Sequence, residues 1–282
     1  MAIRLLAIDV DGTLLDGHGQ LPPANRAAVE AALGRGVEVM LATGRSHHFV
    51  RPIADLLPGR LELIVSNGAL VKDAGGRTLL ARPMTQSIAL EVLAITRDYR
   101  HDAGVVFDRA GPRQVVYESI DSAHPGRRAY FERNRAFLDA ISPLELAVVD
   151  DPVAVVFNGT VERMRALGAA IDRSAVRSRV EVTSTEYEAR DFALVDVLSK
   201  GCSKGSTLSA WAARRGLDRS QVMAVGDNLN DLDMLEFAGL PVVMGNSVDA
   251  LKARGWPVTA THDDAGLAQA IERYVLSGSA GL

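Results

Sequence analysis

The stretch of sequence that decides the fold lies near the amino terminus and reads LLAIDVDGTLL over Leu5–Leu15. An apolar run with β-strand character stops there at two carboxylates, Asp9 and Asp11, which are separated by one residue. In a strand this spacing points both side chains to the same face, and Gly12 then permits a sharp turn. Two carboxylates held close together repel each other unless a proton or a cation lies between them, and hard oxygen ligands suit Mg²⁺. The stretch therefore predicts a small acidic metal site at the end of the first strand.

Four further apolar runs end in the same way, with glycine or polar residues directly after them. They are Val37–Ala42, Leu61–Val65, Val222–Val225 and Pro241–Met244. Continuous apolar runs are typical of strands buried on both faces of a parallel sheet, and segments with helical spacing such as Pro23–Arg35 separate them. Alternation of strand and helix predicts an α/β fold with a doubly wound, Rossmann-like parallel sheet. Ligands of such sheets bind beyond the carboxyl ends of the strands, where the polar residues gather here.

The middle of the chain, from about Arg82 to Glu188, has a different pattern. Its apolar runs alternate with polar residues, which indicates strands with one polar face in an open, mostly antiparallel sheet backed by helices. The pattern of the parallel sheet resumes at Phe192–Val197. We therefore predict a core domain made of residues 1–82 and 189–282, with an inserted α+β domain over residues 83–188.

The composition is that of a globular protein, with 48% hydrophobic and 23% charged residues in a chain of 282. A formal net charge of -4 argues against a general nucleic-acid surface. Cys202 is the only cysteine, so no intramolecular disulfide can form. The sequence has neither a signal-peptide pattern nor an apolar stretch of membrane-spanning length. We expect a cytoplasmic protein without nucleic-acid or membrane partners; the oligomeric state stays open.

The opening stretch resembles the DxDGT signature of the haloacid dehalogenase-like superfamily and, within it, the Cof-type phosphatases. Three further motifs of that superfamily follow in order. They are a strand end at Thr43-Gly44-Arg45, a lysine at a helix start in Ser203-Lys204-Gly205, and the GDxxND pattern over Gly226–Asp231. The insert lies between the second and third motifs, as in members with a large type-two cap, so the resemblance implies an inserted cap domain. One departure is the sequence Asp-Asp-Ala-Gly over Asp263–Gly266, where the family has an acid followed by Gly-Val.

The resemblance implies a chemical role for each acidic residue of these motifs. Asp9 is implied as the nucleophile that forms an aspartyl-phosphate, and Asp11 as the general acid and then the general base. The implied ligands of Mg²⁺ are Asp9, Asp227 and, through its backbone carbonyl, Asp11. Asp231 either binds the metal directly or orients its water ligands, and we favour the second role.

The resemblance also implies a set of groups that bind the phosphoryl oxygens. They are the hydroxyl of Thr43, the neighbouring backbone N–H of Gly44, the ammonium group of Lys204, and Asn230, which positions either a phosphoryl oxygen or Asp9. Lys200 lies in an equivalent Ser-Lys-Gly sequence, but the helix pattern and the spacing to the fourth motif favour Lys204. Arg45 either faces the cap or braces its own loop.

The implied activity is Mg²⁺-dependent hydrolysis of a small phosphorylated metabolite, such as a sugar phosphate, by a phosphoric monoester hydrolase. A phosphotransferase or phosphomutase would use the same aspartyl-phosphate with a sugar hydroxyl as the acceptor. A dehalogenase would need neither Asp11 nor a metal, and a non-catalytic module would usually lack one of the motif residues, so the intact set counts against both. We expect the insert to act as a lid that reads the leaving group; the alternative is a dimerisation domain.

Overall fold

The computed structural model describes residues 2–59, 61–109, 111–120 and 122–277. The chain divides into two compact units. The core unit consists of Met1–Ala81 together with Ser203–Leu282, and the inserted unit consists of Arg82–Cys202. The inserted unit therefore begins within one residue of the predicted position 83, but it ends at Cys202 and not at the predicted residue 188.

The helices and strands of the described residues alternate along most of the core unit. In chain order the strands are β1 (Leu5–Asp9), β2 (Glu38–Ala42), β3 (Glu62–Val65), β4 (Leu70–Asp73), β5 (Thr78–Ala81), β6 (Ala103–Val106), β7 (Val115–Tyr117), β8 (Leu138–Ala140), β9 (Ala154–Gly159), β10 (Val180–Tyr187), β11 (Phe192–Ser199), β12 (Val222–Gly226) and β13 (Leu240–Val243). The α-helices are α1 (Pro23–Gly34), α2 (His47–Ala54), α3 (Gln86–Ile95), α4 (Pro125–Asn134), α5 (Val161–Asp172), α6 (Lys204–Arg214), α7 (Leu232–Phe237), α8 (Asp249–Lys252) and α9 (Gly266–Ile271).

The core unit is built on one seven-stranded sheet with the order β13-β12-β1-β2-β3-β4-β5. The five strands from β13 to β3 are mutually parallel, and β4 and β5 add an antiparallel edge. All five residues of β1 are buried, with the first four at 0% exposure. Burial on both faces is the reason why this strand reads as a continuous apolar run, as expected for a central parallel strand. The predicted α/β fold and its parallel core sheet are confirmed.

The carboxyl ends of β1, β2 and β12 meet at the same edge of this sheet because the three strands are parallel. Asn25 of α1 strengthens the region behind that edge: its side chain donates to the carbonyl of Leu14 at 2.9 Å and accepts from the N–H of Ala268 at 3.0 Å. Asn25 is fully buried, so both halves of its amide need these partners. The loop after β1 is thereby held between α1 and α9.

The inserted unit contains a six-stranded sheet with the order β10-β11-β9-β6-β7-β8. Its pairings are antiparallel except for that of β7 with β8. Apolar residues of α3 and α5 form a core with this sheet, and a smaller cluster that includes Tyr117 and Phe131 packs separately. The predicted open, mostly antiparallel sheet backed by helices is confirmed.

The predicted return of the core at residue 189 is wrong, because Phe192–Ser199 belongs to the inserted sheet. This strand, β11, forms a hairpin with β10 in which Phe192 pairs with Tyr187, and it also pairs with β9. The sequence of β11 is apolar except for Asp196 and Ser199, and such a run fits a strand of either sheet. The apolar run alone therefore did not distinguish the two sheets, and the chain re-enters the core unit only at Ser203.

None of the helices in the described part of the chain is both long and apolar enough to cross a membrane.

Candidate active site

The turn after β1 places the two motif aspartates in different surroundings. Asp9 is the last residue of β1 and is 5% exposed, whereas Asp11 lies beyond the strand with its side chain 50% exposed. The turn requires Gly12, which has φ +85° and lies so close to the Asp227 carboxylate that a Cβ atom would collide with it. The close approach of Gly12 therefore brings the loop after β12 directly against the turn after β1.

Asp9 belongs to a cluster of three carboxylates at this edge of the sheet. Oxygen atoms of Asp9, Asp227 and Asp231 lie within 4.8 Å of one another. Lys204 is 1% exposed, and its Nζ donates to Oδ1 of Asp9 and to Oδ1 of Asp231, both at 2.7 Å. The other oxygen of Asp231 accepts the backbone N–H groups of Asp227 at 3.0 Å and Asn228 at 3.1 Å. The buried ammonium group of Lys204, from the third motif, therefore contacts Asp9 of the first motif and Asp231 of the fourth.

The cluster carries more negative charge than its single lysine balances. Burial and the charge of Asp231 raise the pKa of Asp9 well above its ordinary value, and the same two causes raise the pKa of Asp227 to about 7. Burial opposes the charge on Lys204, but the carboxylates of Asp231 and Asp9 outweigh it and raise the pKa of Lys204. Within the described residues the metal-binding group consists of carboxylates alone, which are ligands suited to Mg²⁺. The residues present therefore fit the divalent cation that the sequence predicts.

The carboxylate of Asp11 does not join this group. It is held instead by Arg45, whose Nε donates to Oδ2 at 2.8 Å and whose Nη2 donates to Oδ1 at 2.5 Å. The expectation that Asp9 and Asp11 converge on one point through their side chains is therefore not met, because β1 ends at Asp9 and the Asp11 carboxylate pairs with Arg45. Arg45 therefore contacts the turn after β1 within the core unit, and this pairing was not among the roles expected for Arg45.

The second motif forms the loop after β2 and lies against the loop after β3. Thr43 is 1% exposed, and its hydroxyl oxygen accepts the backbone N–H of Arg45 at 3.1 Å. Gly44 follows so closely beside Asn67 that a Cβ atom would lie 3.0 Å from Oδ1 of that side chain. The small residue in Thr-Gly-Arg is thus needed for contact between the two loops.

Lys204 is positioned by the packing of the loop after β3 against the start of α6. The helix begins with a capping box in which Ser203 and Ser206 each bond the backbone N–H of the other, at 3.1 and 3.0 Å. Gly68, with φ +102°, leaves no room for a Cβ atom beside the Ser203 carbonyl, and the hydroxyl of Thr207 donates to the Gly68 carbonyl at 2.7 Å. This docking directs the first residue of α6 into the acidic cluster.

Lys200 and Asn230 are the two remaining candidate residues from the sequence. Lys200 belongs to the inserted unit, is half-exposed and pairs with Glu181 at 2.8 Å. Asn230 lies in the 3-10 turn Leu229–Asp231, partly buried, and its side chain forms no hydrogen bond within the part of the chain that the structure describes. The turn itself brings Asn230 beside the buried Asp231.

One residue of this region was not assigned a role by sequence reasoning. Asn246 follows β13 and donates from Nδ2 to the Gly12 carbonyl at 2.9 Å and to Oδ2 of Asp227 at 3.3 Å. The only sequence signal was its place in Met244-Gly245-Asn246-Ser247, where a strand of the parallel sheet ends in polar residues. That signal locates the edge of the sheet but does not indicate which carboxylate the amide contacts.

A family model described as haloacid dehalogenase-like hydrolase matches residues 6–271, and the chain belongs to this family. Phosphatase YwpJ of Bacillus subtilis is 28% identical, with 97% of this chain and 100% of that protein covered. Pyridoxal phosphate phosphatase YbhA of Escherichia coli is also 28% identical, with 98% and 100% covered. The solved structure of a haloacid dehalogenase-like hydrolase from B. subtilis has a TM-score of 0.79 at 24% identity, covering 97% of this chain and 100% of that one. The predicted family and the predicted phosphatase type of enzyme are confirmed.

Proposed function

We propose that this chain is a Mg²⁺-dependent phosphatase that hydrolyses a small phosphorylated metabolite through an aspartyl-phosphate on Asp9. The observation that carries the proposal is the position of Asp9: a buried carboxylate at a strand end, 2.7 Å from the Lys204 ammonium group and within reach of Asp227. A carboxylate that attacks a phosphate ester needs positive charge close to it, because the carboxylate and the phosphate group repel each other. The phosphatases among the relatives support the same reaction class.

Asp9 and Asp227 would hold the metal, with the backbone carbonyl of Asp11 as the further ligand that the family implies. Mg²⁺ bound there would neutralise part of the charge on the phosphoryl group and so permit the approach of Asp9. Asp231 already accepts hydrogen bonds from Lys204 and from the N–H groups of Asp227 and Asn228. These bonds support a positioning role for Asp231, which orients Lys204 and the metal-binding loop.

The reaction proceeds in two displacements. In the first, a carboxylate oxygen of Asp9 forms a bond to phosphorus while the ester P–O bond breaks, and Asp11 gives its proton to the departing alkoxide oxygen. In the second, Asp11 removes a proton from a water molecule, whose oxygen attacks phosphorus and breaks the bond to Asp9. Inorganic phosphate leaves, and both aspartates return to their starting state. Asp11 requires solvent access for this exchange, and its side chain is half-exposed; Arg45 must release one of the two oxygens before Asp11 takes up a proton.

The phosphoryl oxygens would be bound by the second and third motifs. The oxygen of Thr43 accepts the N–H of Arg45, so the hydroxyl hydrogen of Thr43 is left to donate to a phosphoryl oxygen. The N–H of Gly44, the ammonium group of Lys204 and the amide of Asn230 complete the proposed set. Lys204 supplies the positive charge next to the attacking carboxylate.

We propose further that the inserted unit reads the organic part of the substrate and closes the site to bulk water. Every residue proposed to contact the phosphoryl group belongs to the core unit, which leaves the recognition of the leaving group to other parts of the chain. Substitutions in the inserted unit should then change the order of kcat/KM among metabolites while p-nitrophenyl phosphate is still hydrolysed. Equal losses on every substrate would indicate that this unit only shields the site.

The direct test is phosphate release from a panel of phosphorylated metabolites, measured with EDTA and with added Mg²⁺. Activity should be lost with EDTA and return with Mg²⁺, and Asp9→Asn should abolish turnover without loss of the fold. Lys204→Ala should reduce kcat strongly, whereas the matched variant Lys200→Ala should not.

Retention of more than about one hundredth of the wild-type rate by Asp9→Asn would contradict the covalent mechanism. Transfer of phosphate to an added sugar instead of water would identify a phosphotransferase.

A further inference from the structure

The side chain of Asn246 joins three separate segments of the core unit. Its Nδ2 donates to the carbonyl of Gly12 at 2.9 Å and to Oδ2 of Asp227 at 3.3 Å. Its Oδ1 accepts the backbone N–H of His262 at 2.9 Å. One amide therefore links the turn after β1, the loop after β12 and the loop that precedes α9; its bonds to Gly12 and His262 are of ordinary length, and its bond to Asp227 is longer.

The carboxylate of Asp227 depends on this contact for its orientation. Among the described residues, Asn246 is the one side chain that donates a hydrogen bond to Asp227. The same oxygen, Oδ2, also lies against Gly12, which leaves no space for a Cβ atom there. Oδ2 of Asp227 is therefore confined by the backbone of Gly12 and by the amide of Asn246, while the negative charges of Asp231 and Asp11 repel the carboxylate.

The loop that precedes α9 keeps the amide of Asn246 in place. Next to Asn246, the N–H of Gly245 donates to the carbonyl of Ala260 at 3.0 Å, and a Cβ atom at Gly245 would lie 2.9 Å from backbone atoms of that loop. Asp263 of the same loop accepts the N–H of Gly17 at 2.8 Å. The loop that precedes α9 therefore binds the loop after β1 through Asp263, and it binds Asn246 through the N–H of His262.

We propose that Asn246 is a positioning residue that holds the Asp227 carboxylate ready for Mg²⁺ and is itself held by the loop before α9. The inference rests on the proposed function in that it takes Asp227 as a metal ligand. A ligating carboxylate that can rotate freely must be ordered when the ion binds, and groups that fix a ligand's orientation typically change metal affinity by about 10- to 100-fold.

The experiment is a calorimetric titration of the purified full-length protein with MgCl₂, which needs no catalytic activity. Asn246→Ala should weaken Mg²⁺ binding by about 10- to 100-fold, and Asn246→Ser, which is too short to make all three contacts, should weaken it in the same direction. Thermal melts in EDTA establish that each variant is folded. In phosphatase assays the loss should be largest at low Mg²⁺ and should shrink as Mg²⁺ increases, with little change in the KM of the phosphate ester.

The matched control is His262→Ala, which removes a neighbouring side chain but keeps the backbone N–H that Asn246 accepts. This variant should bind Mg²⁺ within about twofold of wild type. The inference is overturned if folded Asn246 variants bind Mg²⁺ as wild type does, or if His262→Ala loses as much affinity. A wild-type protein that binds Mg²⁺ but hydrolyses no phosphate ester would refute the proposed function, while the calorimetry would still decide the role of Asn246.

Discussion

Replacement of Lys204 by methionine removes the one ammonium group of the acidic cluster while keeping a side chain of similar length. The side chain of Lys204 is 1% exposed, and it donates to Asp9 and Asp231 at 2.7 Å each. In Lys204→Met three carboxylates would share the site without a cation in contact. The variant therefore measures how much of the stability of the core unit depends on this compensation in the absence of metal.

The size of the effect follows from the burial of both partners. Removal of one member of a buried, hydrogen-bonded ion pair costs about 3–5 kcal/mol, because the remaining charge is left buried without a partner. Lys204 compensates two carboxylates, so we expect the free energy of unfolding in EDTA to fall within or above that range. Protonation limits the loss, since the pKa values of Asp9 and Asp227 are already raised. The loss should therefore be smaller at pH 5.5 than at pH 8.

The assay is urea unfolding in EDTA, followed by circular dichroism and by fluorescence of Trp211 and Trp256, which pack in the same hydrophobic cluster of the core unit. Lys252→Met is the matched control, because Lys252 is an exposed lysine of the same unit and its loss should cost less than about 1 kcal/mol. Added Mg²⁺ should stabilise Lys204→Met more than wild type, since a cation that binds only the folded state stabilises it by mass action.

A double-mutant cycle with Asp9→Asn separates electrostatic compensation from packing. In the Asp9→Asn background one buried negative charge is gone, so Lys204→Met should cost clearly less than it does in wild type. A cost below about 1 kcal/mol for Lys204→Met in EDTA, or simple additivity of the two substitutions, would refute the reasoning.

Three further predictions concern the general acid, the metal ligands and the loop after β3. Arg45→Ala removes the two donors that orient the Asp11 carboxylate, so kcat/KM for alkyl phosphates should fall by about 10- to 100-fold. In the same initial-rate assay p-nitrophenyl phosphate should lose less than about threefold, because its leaving group needs no proton. The pKa of Asp227 is raised to about 7 from an ordinary value of 3.8, so the folded state binds more protons than the unfolded state between these pH values. Urea unfolding in EDTA should therefore show stability falling as pH rises from about 4 to about 7, by up to about 1.4 kcal/mol per pH unit from this group, and Mg²⁺ should abolish the slope. Gly68→Ala places a Cβ atom onto the backbone that starts α6, so it should lower the free energy of unfolding by about 1–3 kcal/mol and also lower kcat. The matched control is Gly19→Ala, where φ is also positive but the space is open; it should lower the free energy of unfolding less and leave kcat unchanged.

The sequence by itself determined the parallel core and the residues that gather at its edge. Burial on both faces gives β1 and β12 continuous apolar runs, and parallel strands place their carboxyl ends together, so Asp9 and Asp227 could be brought to one site from strand ends alone. Lys204 could be chosen over Lys200 because a helix start is also a local pattern, and the structure places Lys204 beside Asp9. These features depend on residues close to each other along the chain.

Only the tertiary structure decided the features that depend on which segments meet. Phe192–Ser199 is a mostly apolar run that fits a strand of either sheet, and its pairing with β9 and β10 assigns it to the inserted unit. The carboxylate of Asp11 lies outside the group formed by Asp9, Asp227 and Asp231, and it is bound by Arg45 from another strand end. Asn246 reaches Asp227 across the turn at Gly12, a contact between loops that no local pattern encodes. Local sequence patterns determine where strands and helices form. The direction of a side chain in a loop depends on partners that are distant in the sequence, and these meet it only in the folded chain.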